Sequence, residues 1–134
     1  MKITADTNVL IRAAVMDDPI QSALAVAALL GAEAVAVTLP SLCEFVWVLT
    51  RGYKKSPNEV AEAMRKLIDS ASVLVDRPAV EAGLAILERG GDFADGVIAF
   101  EGRRAGGDVF TSFDREAVNF VVATGGEASL LSRP

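Results

Sequence analysis

The chain has 134 residues, 51% of them hydrophobic, with a formal charge of -5 and no histidine. That length closes one core and is short for two ordinary domains, so a single domain over residues 1–134 is expected. The lack of histidine excludes Ser-His and Cys-His hydrolases and imidazole-bound metals, the single cysteine excludes an internal disulfide and thiolate zinc sites, and the acidic balance excludes a general nucleic-acid coat.

Short β-branched runs alternate with longer helical patterns, which predicts an α/β domain with a parallel sheet. Strands are expected at 3–5, 35–37, 73–75, 109–110 and 120–122. Thr7 and Asn8 begin a helix that carries Val9, Leu10 and Ala13, and another starts near Pro40. Over 58–71 the apolar residues Val60, Met64, Leu67, Ile68 and Ala71 recur at helical spacing, with Glu59, Glu62, Arg65, Lys66 and Asp69 elsewhere. Ser56 and Pro57 suit the cap and first position of that helix, and Arg51-Gly52 ends the one before. Helices over 78–89 and 92–104 follow, closed by Gly90-Gly91 and by Ala105-Gly106-Gly107. The tail, 125–134, reads as loosely held. No apolar run approaches the roughly 20 residues of a membrane span. Lys2, Ile3, Thr4, Ala5 and Asp6 do not form a secretory leader, so a cytoplasmic location is expected.

Four acids stand out. Asp6 directly follows the first strand, at the carboxyl edge where open parallel sheets bind ligands; the plainer reading is a helix cap. Glu44 is the only charge between Pro40 and Thr50, among Leu42, Cys43, Phe45, Val46, Trp47, Val48 and Leu49. A carboxylate buried there is costly unless paired, hydrogen-bonded or bound to a metal. Cys43 and Trp47 read as core packing, and Tyr53 as part of a contact surface. Asp92 suits an N-cap with Asp95 three residues on, opening a helix that continues Gly96-Val97-Ile98-Ala99-Phe100. Asp114 lies just past the fourth strand.

Four such carboxylates brought together would repel by roughly 4 kcal/mol per pair at 4 Å and an effective dielectric near 20. Such a cluster takes up protons or binds cations. Oxygen ligands without His or Cys select hard ions, so Mg2+ is expected, or Mn2+, rather than Zn2+.

Asp6-Thr7-Asn8-Val9-Leu10, Glu44 in its apolar helix, Asp92-Phe93-Ala94-Asp95 and Thr111-Ser112-Phe113-Asp114-Arg115 together resemble the PIN-domain ribonucleases, and within them the VapC toxins of bacterial toxin-antitoxin pairs. The resemblance covers the whole chain in order. It implies an α/β, PIN-like three-layer sandwich with a five-stranded parallel sheet flanked by helices. It implies catalytic and metal-holding roles for Asp6, Glu44, Asp95 and Asp114, and places the family's recurrent hydroxyl on Ser112. Asp92 matches an acid present in many members. The implied activity is Mg2+-dependent hydrolysis of RNA by activated water, with Asp6 and Asp95 as principal ligands and Asn8 and Ser112 orienting carboxylates or bonding phosphate. Arg12, Arg51, Lys54, Lys55, Arg103, Arg104 and Arg115 are candidates to track the RNA backbone. The implied partners are a second copy in a homodimer and a small VapB-type antitoxin, with DNA reached only through that complex and no membrane involved. Two other readings stay open: a catalytically inactive PIN-fold binding module, and an aspartyl-phosphate phosphatase-like enzyme, although the position two after Asp6, where that enzyme has a second Asp, is Asn8.

Overall fold

The structure is a computed structural model that describes residues 1–132. The chain falls into two compact units, Met1–Asp76 and Arg77–Pro134, each of which we describe by itself.

The first unit runs β1 (Lys2–Thr4), α1 (Thr7–Ala14), α2 (Pro19–Gly31), β2 (Ala34–Ala36), α3 (Leu39–Trp47), a widened π turn (Val48–Gly52), α4 (Pro57–Ile68) and β3 (Val73–Leu74). Its strands form a parallel sheet in the order β1-β2-β3, with Ile3 opposite Val35 and Val35 opposite Val73. Helix starts follow the chemistry of their caps. Asp18 accepts the Gln21 N–H ahead of Pro19, and Thr38 accepts the Ser41 N–H ahead of Pro40. At α4 the Ser56 side chain takes the Glu59 N–H while the Glu59 carboxylate takes the Ser56 N–H, a reciprocal pair that also lowers the Glu59 pKa. The α4 stripe predicted from spacing turns inward, with Val60, Ala61, Met64 and Ile68 buried beside Leu10, Val35, Leu42, Phe45 and Leu49 of the same unit's core.

The second unit runs α5 (Arg77–Leu87), α6 (Phe93–Ala105), β4 (Val109–Ser112), α7 (Arg115–Ala123) and β5 (Glu127–Leu130). Strands β4 and β5 pair in parallel from Val109–Glu127 to Ser112–Leu130. Helices α5 and α6 pack against each other through glycines: a Cβ on Gly96 would run into the Ala82 carbonyl, and one on Gly83 would meet the Phe93 ring at 2.5 Å. Phe93 is fully buried in the space that Gly83 leaves.

Three expectations need correction. The strands do not form one five-stranded sheet; they form sheets of three and two. Residues 120–122 are not a strand, because Asp114 caps a helix whose Ala117, Val118 and Val121 turn inward at helical spacing, and this overrides the β-branched preference of Val121-Val122. The fifth strand lies instead in the tail expected to be loose. Gly125 takes φ +94°, a conformation suited to glycine, and the Gly126 N–H returns to the Val121 carbonyl, so the chain reverses into β5. The last residues of that tail, 133–134, lie outside the described residues. Elsewhere the strands at 3–5 and 35–37 begin one residue earlier, and the fourth runs on to Ser112. Among the described residues no single helix is long and apolar enough to cross a membrane.

Gly96→Ala should destabilise the protein by about 2 kcal/mol or more, because the obstacle is backbone that cannot rotate away. Gly102→Ala, whose Cβ would meet nothing within 4 Å, should leave stability unchanged or raise it by about 0.5–1 kcal/mol. Urea unfolding of the two variants checks the contrast.

Candidate active site

In each parallel sheet the chain leaves a strand at the carboxyl edge and caps the next helix there, which is where candidate acids are delivered. In the first unit β1 ends at Thr4, and Asp6 caps α1 by accepting the Thr7 N–H on Oδ1 at 2.8 Å. The Ala5 N–H binds the Ala36 carbonyl at 3.1 Å, which ties this edge to the end of β2, where α3 begins. Helix α3 packs on α1, and Glu44 lies a turn and a half into it. Asp6, Asn8 and Glu44 are all exposed.

The exposure of Glu44 overturns the argument that it is a costly carboxylate in an apolar shell. Helix α3 has one buried face, Leu42, Phe45, Val46 and Leu49, and its apolar look all round comes from an exposed Trp47 on the other. Trp47 is 64% exposed, so it is not core packing either. The three-residue step from Glu44 to Trp47 puts both on one face, and that step was the readable signal. Cys43 is half-buried. Tyr53 is half-buried and its hydroxyl donates to Asp17 Oδ2 at 2.9 Å, while Arg12 donates to Asp17 Oδ1 at 2.9 Å. Together they hold the Asp17 carboxyl below its usual range. The Arg12 charge is thus already engaged within its unit.

In the second unit Asp92 caps α6 by accepting the Ala94 N–H on Oδ1 at 3.1 Å, and Asp95 occupies its first turn. Asp114 caps α7 by accepting the Glu116 and Ala117 N–H groups on Oδ1, at 2.9 and 3.3 Å. The Ser112 hydroxyl oxygen accepts the Asp114 N–H at 3.0 Å, so this turn is pinned on both sides of Phe113. Here the structure brings acids together. Asp95 is half-buried, and its pKa is pushed up to about 6 by burial first and then by the charges of Asp92 and Asp114. Of the basic candidates, Arg51, Arg103 and Arg115 are exposed, and Arg104 lies 4.7 Å over the Phe100 ring.

The donors in this second-unit locus are all carboxylates, with no positive side chain among the influences that set the Asp95 pKa. Such a set fits a hard divalent cation, which would relieve the repulsion that now raises Asp95. Among the described residues, no three ligating side chains gather around one point. Over residues 3–121 the chain matches the PIN domain family. No curated protein matches it.

With its pKa raised, folded Asp95 keeps a proton between about pH 4 and 6 that the unfolded chain has already released. Asp95 therefore favours folding at the acid end of that window and opposes it as pH rises through 6. In chelator at pH 7.5, Asp95→Asn should melt higher than the parent by about 4 °C, equivalent to about 1 kcal/mol for a partly exposed group, and the difference should vanish near pH 4. Thermal melts of both proteins across that range check it.

Proposed function

Because the chain belongs to the PIN domain family, whose members are generally metal-dependent nucleases, we propose that it is an endoribonuclease that hydrolyses RNA phosphodiester bonds and serves as the toxin of a VapBC-type pair. The observation that carries this reading is the crowding of Asp95 by Asp92 and Asp114, a negative locus without a cation of its own. The uninterrupted family match supports treating both units as one PIN domain over 1–134.

On this reading Asp6 and Asp95 are the principal holders of Mg2+, with Mn2+ as the alternative ion, and Glu44 and Asp114 complete the acidic set. When bound, the ion supplies positive charge to the scissile phosphate and lowers the pKa of attacking water. The chain's own groups do the positioning. The Ser112 hydroxyl fixes the Asp114 main chain through its oxygen and keeps its proton to offer to a phosphate oxygen. Asn8, one residue past the Asp6–Thr7 cap, offers an amide of the same use, and Asp92 holds the start of α6 so that Asp95 stays in its first turn. Arg115, exposed beside Asp114, is a backbone contact for RNA, whereas Arg12 is not proposed for that role because Asp17 takes its charge.

Apolar surface in the first unit supports a protein partner. A groove of about 570 Å3 runs between α1, α2 and α4, lined by Leu10, Val26, Leu29, Phe45 and Leu67 with Lys55 and Lys66 beside them. On α2, Ile20, Leu24 and Leu30 stand exposed. A small antitoxin and a second copy of the chain are the partners this reading assigns to such surface.

Purified full-length protein should cleave structured RNA with Mg2+ and stop in chelator. Asp95→Asn should lower the rate more than about a hundredfold, beyond what losing an outer partner costs, and Ser112→Ala about tenfold. Cleavage that survives both chelator and Asp95→Asn would dismiss the metal-dependent reading.

A further inference from the structure

The chain contains six phenylalanines, one tryptophan and one tyrosine. Phe45 and Phe93 are buried, and Phe100, Phe110, Phe120 and Tyr53 are half-buried. Only Trp47 and Phe113 are exposed, at 64% and 80%, and each adjoins one of the candidate acids. Trp47 follows Glu44 by three residues on α3, and Phe113 is chained directly to Asp114. An exposed arginine stands close along the chain in both cases, Arg51 four residues after Trp47 and Arg115 two after Phe113.

Neither ring is a loose end. Trp47 closes α3 and is followed directly by the π turn, whose last N–H link ties Tyr53 to the Val48 carbonyl at 3.2 Å. Phe113 is held outward by the turn that the Ser112 and Asp114 side chains lock. Neither ring extends an apolar patch along its own segment. The exposed residues around Trp47 are Glu44, Thr50 and Arg51, and those around Phe113 are Thr111, Asp114 and Arg115. Across the strand pair, Leu131, 45% exposed, sends its N–H to the Ser112 carbonyl and is the apolar neighbour that pairing adds near Phe113, a smaller area than the contiguous apolar core of a protein interface. An exposed flat ring with an exposed arginine a few residues along the chain suits a nucleobase, whose face stacks on the ring while the arginine serves the phosphate backbone.

We propose, resting on the ribonuclease reading above, that Trp47 and Phe113 are each stacking platforms for an unpaired nucleobase of the bound RNA. Paired bases hide their faces in the helical stack, so such platforms discriminate against duplex without reading sequence.

Trp47 is the chain's single tryptophan, so its fluorescence reports its surroundings alone. Full-length Asp95→Asn protein, with Mg2+, is titrated with a labelled ten-nucleotide unstructured RNA and with the same strand in a duplex. Label anisotropy follows binding and tryptophan emission follows stacking. Emission should be quenched in step with binding of the single strand, which should bind more tightly than the duplex. Trp47→Ala and Phe113→Ala should each weaken single-strand binding roughly tenfold, while Trp47→Phe and Phe113→Tyr keep most of it. Both positions are exposed, so these changes leave the core untouched. Binding without quenching, and undiminished in both alanine variants, overturns the stacking role and leaves the ribonuclease reading intact. Failure of the parent and the Asp95→Asn protein to bind any RNA overturns that reading, and this proposal with it. A concentration-dependent blue shift of emission without RNA assigns Trp47 to a contact between copies and overturns its role here.

Discussion

Like charge held in a partly dry place is the constraint on which the candidate chemistry turns. Half-buried Asp95 carries a desolvation cost of its own, and the charges of the exposed Asp92 and Asp114 add to it. Capping a helix does not require this arrangement, since other helices in the same chain are capped by neutral side chains. Thr38 and Ser56 begin their helices with hydroxyls, at no electrostatic cost. Tension at one helix start, in a chain of the PIN domain family, is the feature on which the proposed metal-dependent reading rests.

What holds that tension in place is backbone packing. Gly96 follows Asp95 immediately and lies against the Ala82 carbonyl, while Gly83 accepts the Phe93 ring from the other side of the same crossing. Gly96, next to the acid, is therefore fixed by a contact that admits no side chain, and Phe93, two residues before the acid, by a buried ring. The acid has little freedom to drift away from its neighbours.

Much of this was legible in the sequence because it is local. Caps, glycine stops and the stripe on α4 depend on residues within a few positions of one another, and Ser56, Pro57, Asp92 and Gly106 mark their boundaries as spacing predicts. Asp6, Asp92, Asp95 and Asp114 could be placed at helix starts for the same reason, whereas Glu44 was singled out for a burial that its exposed position on α3 contradicts. What was not legible depends on partners distant in sequence. Glu127–Leu130 carries little β-branched signal and becomes a strand only by pairing with β4, whereas 120–122 has that signal and is helical because Asp114 and the buried face of α7 dominate. The face of Trp47 was misread because neighbouring apolar residues disguised which side of α3 meets the core. The division into sheets of three and two strands follows from pairing that no single segment encodes.

Asp114 engages both helix amides through Oδ1 alone, and Asp6 likewise makes its cap through one oxygen. An asparagine retains that oxygen, and with it the anchorage of the helix, while giving up the anion. Under the proposed catalytic roles of these two acids, a descendant of this protein stands a single nucleotide-level change from chemical silence at either position without surrendering its architecture. Scaffold and reactivity are separable here at the scale of one atom, so inert copies that still recognise old partners are within easy evolutionary reach.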